Sequence, residues 1–134
     1  MKLKFENKKL PTIKNERALY SFIELKDFVD FEVKRVYYIQ NCMVDTGQHC
    51  HKIEKEFFVM VRGSCTAIVD RGQGKEDVLL AGPSDGIYVD NYVWHGFKNF
   101  SSDAILMALS STNYNPDRSD YVEDYEEYLK IRDK

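Results

Sequence analysis

The feature that most constrains this chain is a series of short runs rich in β-branched and aromatic residues, each closed by a turn-forming group before it grows long. Residues 18–25, 34–40, 56–61, 65–70, 77–81, 86–89, 93–98 and 104–110 read as strands. Asp45-Thr46-Gly47, Arg62-Gly63-Ser64, Arg71-Gly72-Gln73-Gly74, Gly82-Pro83-Ser84-Asp85 and Asp90-Asn91 stand between them at the close spacing of a sandwich or barrel. No long helical pattern interrupts the series, which argues against a parallel sheet built from alternating strands and helices. The period changes only after Pro116, where Tyr121, Tyr125, Tyr128 and Leu129 fall at helical spacing and Ser119 is placed to cap. The expectation is an all-β fold with one C-terminal α-helix.

At 134 residues the chain has the size of one domain, 1–134, able to close a single core without disulfides or metals as staples. No apolar run approaches the length needed to cross a bilayer, so no membrane partner is expected. The first residues carry several lysines but no apolar stretch of the secretory kind, which points to the cytoplasm, and three cysteines without framework spacing agree with reduced thiols there. Those lysine-rich residues are expected to be loosely ordered unless they add a strand to a partner. The net charge of −3, with Asp117, Asp120, Glu123, Asp124, Glu126 and Glu127 close together, argues against a nucleic-acid surface. That acidic run and the tail tyrosines read as the solvated and packed faces of the helix.

The chemistry is concentrated in two segments. In Gly47-Gln48-His49-Cys50-His51-Lys52-Ile53-Glu54-Lys55-Glu56, residues two apart on a strand share a face, so His49 and His51 are presented side by side. The second segment runs from Gly86 to Asn99 and holds His95, the third and last histidine of the chain. Two histidines on one strand face also fit ordinary hydrogen-bonded side chains. Three of them in two strand motifs, with none elsewhere, are better explained by a site.

The arrangement resembles the two motifs of the cupin superfamily. His49, His51, Glu56 and Gly63 match the first, and Gly86, His95 and Asn99 match the second. The resemblance implies a jelly-roll-like β-barrel. Over nearly its full length the chain further resembles the cupin sugar 3,4-ketoisomerases that act on dTDP-4-keto-6-deoxyglucose. The matching pieces are Asn15-Glu16-Arg17-Ala18-Leu19, Lys34-Arg35-Val36-Tyr37-Tyr38-Ile39, Gly47-x-His49-x-His51-Lys52, Gly63-Ser64-Cys65, Gly86-x-Tyr88-Val89, Val93-Trp94-His95 and Asp120-Tyr121-x-x-Asp124-Tyr125. It departs from the family at Thr46, where arginine is usual, at Cys50 for alanine, at Lys55-Glu56 where glutamine is common, and at Asn91 for proline.

A 4-keto sugar has an acidified C3 proton, because its removal leaves an enolate. Moving the ketone to C3 needs a base at C3, an acid at C4 and a shuttle for the hydroxyl proton, work suited to imidazoles. The resemblance implies that His49 and His51 do this without metal or cofactor, His49 as base at C3 and His51 as donor at C4 or shuttle. It implies Arg17, Arg35, Tyr37, Lys52 and His95 as substrate-binding residues. Arg35, two positions from Tyr37, would grip the diphosphate, and Tyr37, Arg17 and His95 would stabilise the enediolate. Arg17, Arg35 or Lys52 would replace the arginine lost at Thr46. Arg17 with His95 leans toward dTDP-3-keto-6-deoxy-D-galactose, a precursor of a 3-amino sugar for a surface glycan. A homodimer with exchanged N-terminal strands is also implied. Two alternatives stay open. One is a metal-dependent cupin, a dioxygenase or metal isomerase, with His49, His51, Glu56 and His95 as ligands. The other is a non-catalytic sugar-binding cupin.

Overall fold

The computed structural model describes residues 1–134. In chain order the elements are β1 (Phe5–Lys9), β2 (Thr12–Lys14), β3 (Leu19–Ser21), α1 (Leu25–Phe28), β4 (Arg35–Gln40), β5 (Cys50–His51), β6 (Glu56–Arg62), β7 (Ser64–Asp70), β8 (Lys75–Ala81), β9 (Asp85–Val89), β10 (Trp94–Lys98), β11 (Ile105–Ser110), β12 (Tyr121–Val122) and α2 (Tyr125–Arg132). An antiparallel five-stranded sheet has the order β1-β9-β6-β11-β4, and a three-stranded sheet the order β10-β7-β8. β5 pairs with β12, and β2 with β3 as a separate hairpin.

The two larger sheets share one core, in which Phe58 and Met60 of β6, Ile87 and Val89 of β9, and Leu106 and Ala108 of β11 meet Cys65, Ala67 and Val69 of β7 and Phe97 of β10. The alternate residues of β6 are buried as well. Phe57 and Val59 turn to the outer face, where Leu10, Phe28, Tyr88 and Leu109 cover them. Burial on both faces is why 57–60 is apolar at every position rather than at every second one. Gly63 makes the turn from β6 to β7 at φ +73°, and a Cβ there would come within 2.9 Å of the Ala104 Cα. Only glycine meets both demands.

The fold is all-β with a C-terminal helix, as expected, and has the two-sheet form of a jelly roll. The sheets do not close into one hydrogen-bonded barrel. An isolated antiparallel bridge between His49 and His95 ties the β5–β12 pair to β10 of the three-stranded sheet. Three local expectations are corrected. The lysine-rich start forms β1, hydrogen-bonded to β9 of the same chain from Phe5↔Val89 to Lys9↔Asp85, with Phe5 buried in the core while Asn7 and Lys9 stay exposed. Only Leu19–Ser21 of the run 18–25 is strand, and the turn α1 follows it so that Phe28 can cover Phe57. The C-terminal helix begins at Tyr125, not before Tyr121, and Asp124 rather than Ser119 caps it, accepting from the Glu127 N–H at 3.0 Å. Tyr121 is drawn into β12 because its backbone pairs with His51.

α2 packs Tyr128 against Cys50, Trp94 and Val122. Asp70, at the end of β7, holds the helix by accepting from the Tyr125 hydroxyl at 2.7 Å and from Arg132 at 2.8 Å.

Candidate active site

The bridge between the β5–β12 pair and β10 positions the chemistry. The His49 N–H donates to the His95 carbonyl at 3.0 Å, and the His95 N–H returns the bond at 2.8 Å, so the two imidazoles leave the backbone side by side. Gly96 permits this approach, since a Cβ there would lie 2.5 Å from Cγ of Gln48. His51 follows two residues after His49 on the same face. The Nε2 atoms of His49 and His51 are 3.1 Å apart, and the His49 and His95 rings lie 4.8 Å centre to centre. Glu56 enters from β6 beneath them, with Oε1 at 3.3 Å from His51 Nε2 and 3.5 Å from His95 Nε2. The Tyr37 hydroxyl donates to its other oxygen at 2.5 Å. The His95 Nδ1–H donates to the Val93 carbonyl at 3.0 Å, which fixes the ring so that Nε2 faces the cluster.

The far side of His51 is built by a segment that returns from 60 residues and more down the chain. One Asp120 carboxylate accepts from three successive backbone N–H groups, Lys52 at 3.0 Å, Ile53 at 2.7 Å and Glu54 at 3.1 Å. The same carboxylate stands 3.3 Å from His51 Nδ1, and Glu54 stands 3.6 Å from it. Glu54 also accepts from Arg35 at 2.8 Å and from Ser110 at 2.6 Å. The Tyr121 ring lies 4.5 Å from that of His51 and 4.8 Å from that of His49, and Arg118 caps it at 4.0 Å.

These surroundings separate the two histidines electrically. Burial, reinforced by His95 and His51, pushes His49 down to about 3, so its imidazole is neutral. Burial would lower His51 too, but Glu56, Glu54 and Asp120 outweigh it and raise His51 above the ordinary histidine value. Glu56, although buried, is held far below the usual carboxylate range by its bonds from His51 and His95. Burial and then Glu56 raise Glu54. Burial and the same carboxylate raise Tyr37, which stays a hydroxyl donor. The pair therefore sets a neutral imidazole with a free lone pair against one that favours carrying a proton.

A cavity of about 440 Å³ opens over the pair, walled by Arg35, Tyr37, Glu54, Tyr114 and Tyr121. A second hollow on the other side of His49 is lined by Thr46, Gly47, His95 and Arg118. Of the residues singled out in the sequence, His49, His51, His95, Tyr37 and Arg35 are brought together. Arg35 lies between two rings, its guanidinium 5.2 Å from Tyr37 and 5.8 Å from Tyr114. Arg17 is not among them: it stands exposed at the turn of the β2–β3 hairpin, its backbone N–H bonded to Asn15. Lys52 alternates away from the histidines and borders a different hollow, with Tyr92 and Val122. Glu54, Tyr114, Arg118, Asp120 and Tyr121 were not picked out. The tail pattern Asp120-Tyr121-x-x-Asp124-Tyr125 carried the signal for two of them, but helical spacing gave it a simpler explanation.

The donor nitrogens of His49, His51 and His95 all lie within 4.8 Å of one another, as do the donors of His51, Glu54 and Glu56, so the cluster has the make-up of a metal-ligand set.

Two antiparallel sheets with a His-x-His strand and a third imidazole converging at their junction define a cupin. Residues 3–133 match the FdtA family, described as WxcM-like, C-terminal. The TDP-4-oxo-6-deoxy-alpha-D-glucose-3,4-oxoisomerase of Aneurinibacillus thermoaerophilus is 37% identical over 110 residues, covering 81% of this chain and 78% of that protein. Among solved structures, a 3,4-ketoisomerase from Helicobacter canadensis superposes with a TM-score of 0.87 at 27% identity, covering 98% of this chain and 99% of its own. A TDP-quinovose 3,4-ketoisomerase from Campylobacter jejuni gives 0.85 at 33%, covering 94% and 97%, and a TDP-fucose-3,4-ketoisomerase from the same organism gives 0.81 at 30%, covering 96% and 95%. The chain belongs to this family of sugar 3,4-ketoisomerases, and is an isomerase.

Proposed function

We propose that this chain, as a single catalytic domain, moves the keto group of dTDP-4-keto-6-deoxy-D-glucose from C4 to C3 by proton transfers through an enediol. The observation that carries this is the 3.1 Å contact between His49 and His51, whose surroundings push the first down and the second up, under a cavity of small-molecule size. His49 takes the C3 proton, and the enediolate is met by hydrogen bonds from Tyr37 and His95. His51 delivers a proton at C4 or passes the hydroxyl proton between the oxygens. Once His51 has given up its proton, the repulsion that depresses His49 falls, so the two steps reinforce each other. Arg35, and Arg118 beside Thr46, are the cations on hand for the diphosphate.

The product is assigned as dTDP-3-keto-6-deoxy-D-galactose from the pairing of Arg17 with His95, and the next step as amination at C3 toward a 3-amino sugar of a surface glycan. The chain works in the cytoplasm as a homodimer that exchanges N-terminal strands. Support for the dimer comes from the β2–β3 hairpin, where Ile13, Leu19 and Tyr20 are exposed although apolar, and from the edge strand β4, which leaves Val36 and Tyr38 uncovered. Exchange of that hairpin carries Arg17 of one protomer to the mouth of the other.

The test is incubation with dTDP-4-keto-6-deoxyglucose in deuterium oxide, followed by NMR. Deuterium should enter at C3 and a 3-keto galacto sugar should accumulate. Absence of both sinks the proposal, and a gluco product overturns the stereochemical part alone. His49→Asn should abolish exchange at C3.

A further inference from the structure

We propose that Asp120 is a positioning residue for the isomerisation: it fixes His51 in the tautomer that keeps its proton on Nδ1, so that protons enter and leave the ring through Nε2. The catalytic half rests on His51 being a proton-transfer group of the proposed reaction; the tautomer does not. The His51 side chain is 3% exposed, and its Nδ1 is buried with no hydrogen-bond partner. A ring nitrogen shut away from water has to be met by a protein group. Both groups that face it are acceptors, Asp120 Oδ2 at 3.3 Å and Glu54 Oε1 at 3.6 Å. A lone pair on Nδ1 would point at two carboxylates, whereas an N–H there finds acceptors. Nε2 looks the other way, to His49 Nε2 at 3.1 Å and Glu56 Oε1 at 3.3 Å.

Of the two carboxylates, Asp120 is the one whose position is fixed toward the ring. Its Oδ1 accepts from the N–H groups of Lys52 at 3.0 Å and Ile53 at 2.7 Å, and its Oδ2 from that of Glu54 at 3.1 Å. Three successive backbone donors hold the carboxylate plane, and Oδ2 has a second lone pair left for the imidazole. Glu54 is engaged elsewhere, its Oε2 taking Arg35 at 2.8 Å and Ser110 at 2.6 Å. The next residue adds to the effect: the Tyr121 backbone pairs with His51 and its ring lies 4.5 Å from the imidazole, so one short segment sets both tautomer and tilt. After His51 has given its Nε2 proton to the sugar, it is left with a proton on Nδ1 and a lone pair on Nε2, ready to collect the hydroxyl proton. The opposite neutral tautomer carries its proton on Nε2 and can accept nothing there.

Asp120→Asn tests this because the amide keeps the size but turns one oxygen into a donor. Its oxygen goes to the two N–H groups of Lys52 and Ile53, which puts the amide nitrogen beside His51 Nδ1 and reverses the preference. Full-length protein carrying isotope-labelled histidine has only three imidazoles to follow, and His51→Asn assigns the one that matters. Proton–nitrogen correlation at alkaline pH, where the rings are neutral, reads which nitrogen bears the proton. Wild type should show His51 protonated on Nδ1, and Asp120→Asn should move that proton to Nε2. Turnover of dTDP-4-keto-6-deoxyglucose should fall by about 10²–10⁴-fold, with dTDP affinity by calorimetry unchanged. Asp120→Ser, with a mixed tautomer and a similar loss, takes its place should the amide variant not fold. A merely structural clamp would lower the melting temperature and leave the tautomer as in wild type, and that result overturns the proposal. So does an Nε2 proton in the wild type, a measurement that needs no variant to fold. A reversed tautomer with full turnover overturns the catalytic half. Wild type without turnover sinks the ketoisomerase reading instead, and the spectra then decide the tautomer by themselves.

Discussion

His49 and His51 differ chiefly in the number of carboxylates within reach. His51 faces three, Glu54, Glu56 and Asp120, whereas His49 faces two other imidazoles and the Tyr121 ring. The division of labour predicts unequal losses. His51→Asn should slow formation of the 3-keto product by about 10²–10⁴-fold, the usual worth of a positioned acid or base, while C3 washout falls much less; NMR in deuterium oxide separates the two rates. Equal losses in both would mean that the histidines act as one unit. The three histidines were legible because strand alternation is a local rule that needs no knowledge of the rest of the chain. Asp120 was not, since its role depends on a chain reversal that sets it against N–H groups 66 to 68 residues away. In the sequence it is one more acid in an acidic run.

At the scale of elements, the strands of the core were legible, while β1, β2, the short pair β5 and β12, and the element ends were not. β6, β7, β10 and β11 fall within a residue or two of their expected positions, because apolar runs bounded by turn residues define them. The start of α2 was misplaced because Tyr121 keeps helical spacing with Tyr125, and spacing alone does not reveal that β5 needs a partner. That helix is held by a buried acid, which gives it a pH dependence. Burial alone would raise Asp70, but bonds from Tyr125, the Gly72 N–H and Arg132 bring it below the ordinary value. A carboxylate lowered in the folded state stabilises above its unfolded pKa of about 3.9, and the stabilisation is lost as pH falls through the folded value. Thermal melts of the wild type should therefore weaken below about pH 4. Asp70→Asn should lower stability by about 2–3 kcal/mol at neutral pH and flatten that acid limb; a parallel acid limb in the variant would mean the dependence lies elsewhere. At the β6–β7 turn, Gly63→Ala meets both a left-handed backbone and the Ala104 Cα, so urea denaturation should report a loss of about 1–3 kcal/mol.

For the whole molecule the question is whether one chain makes a complete site. Arg17→Ala and His49→Asn should each be inactive alone. If Arg17 serves the other protomer, mixing the two after partial unfolding and refolding restores activity in the hybrid dimers, which hold one intact site. If Arg17 serves its own chain, no mixture recovers, and measured turnover distinguishes the cases. The clamp by which Asp120 gathers the N–H groups of Lys52, Ile53 and Glu54 has a consequence for synthesis. Both sheets are complete once β11 has been made, so a nascent chain can assemble its core while the loop behind His51 is still unfastened. Catalytic competence then waits for the segment that carries Asp120, and a chain cut just before Asp120 would keep both sheets but lose the fastening behind His51 and do no chemistry.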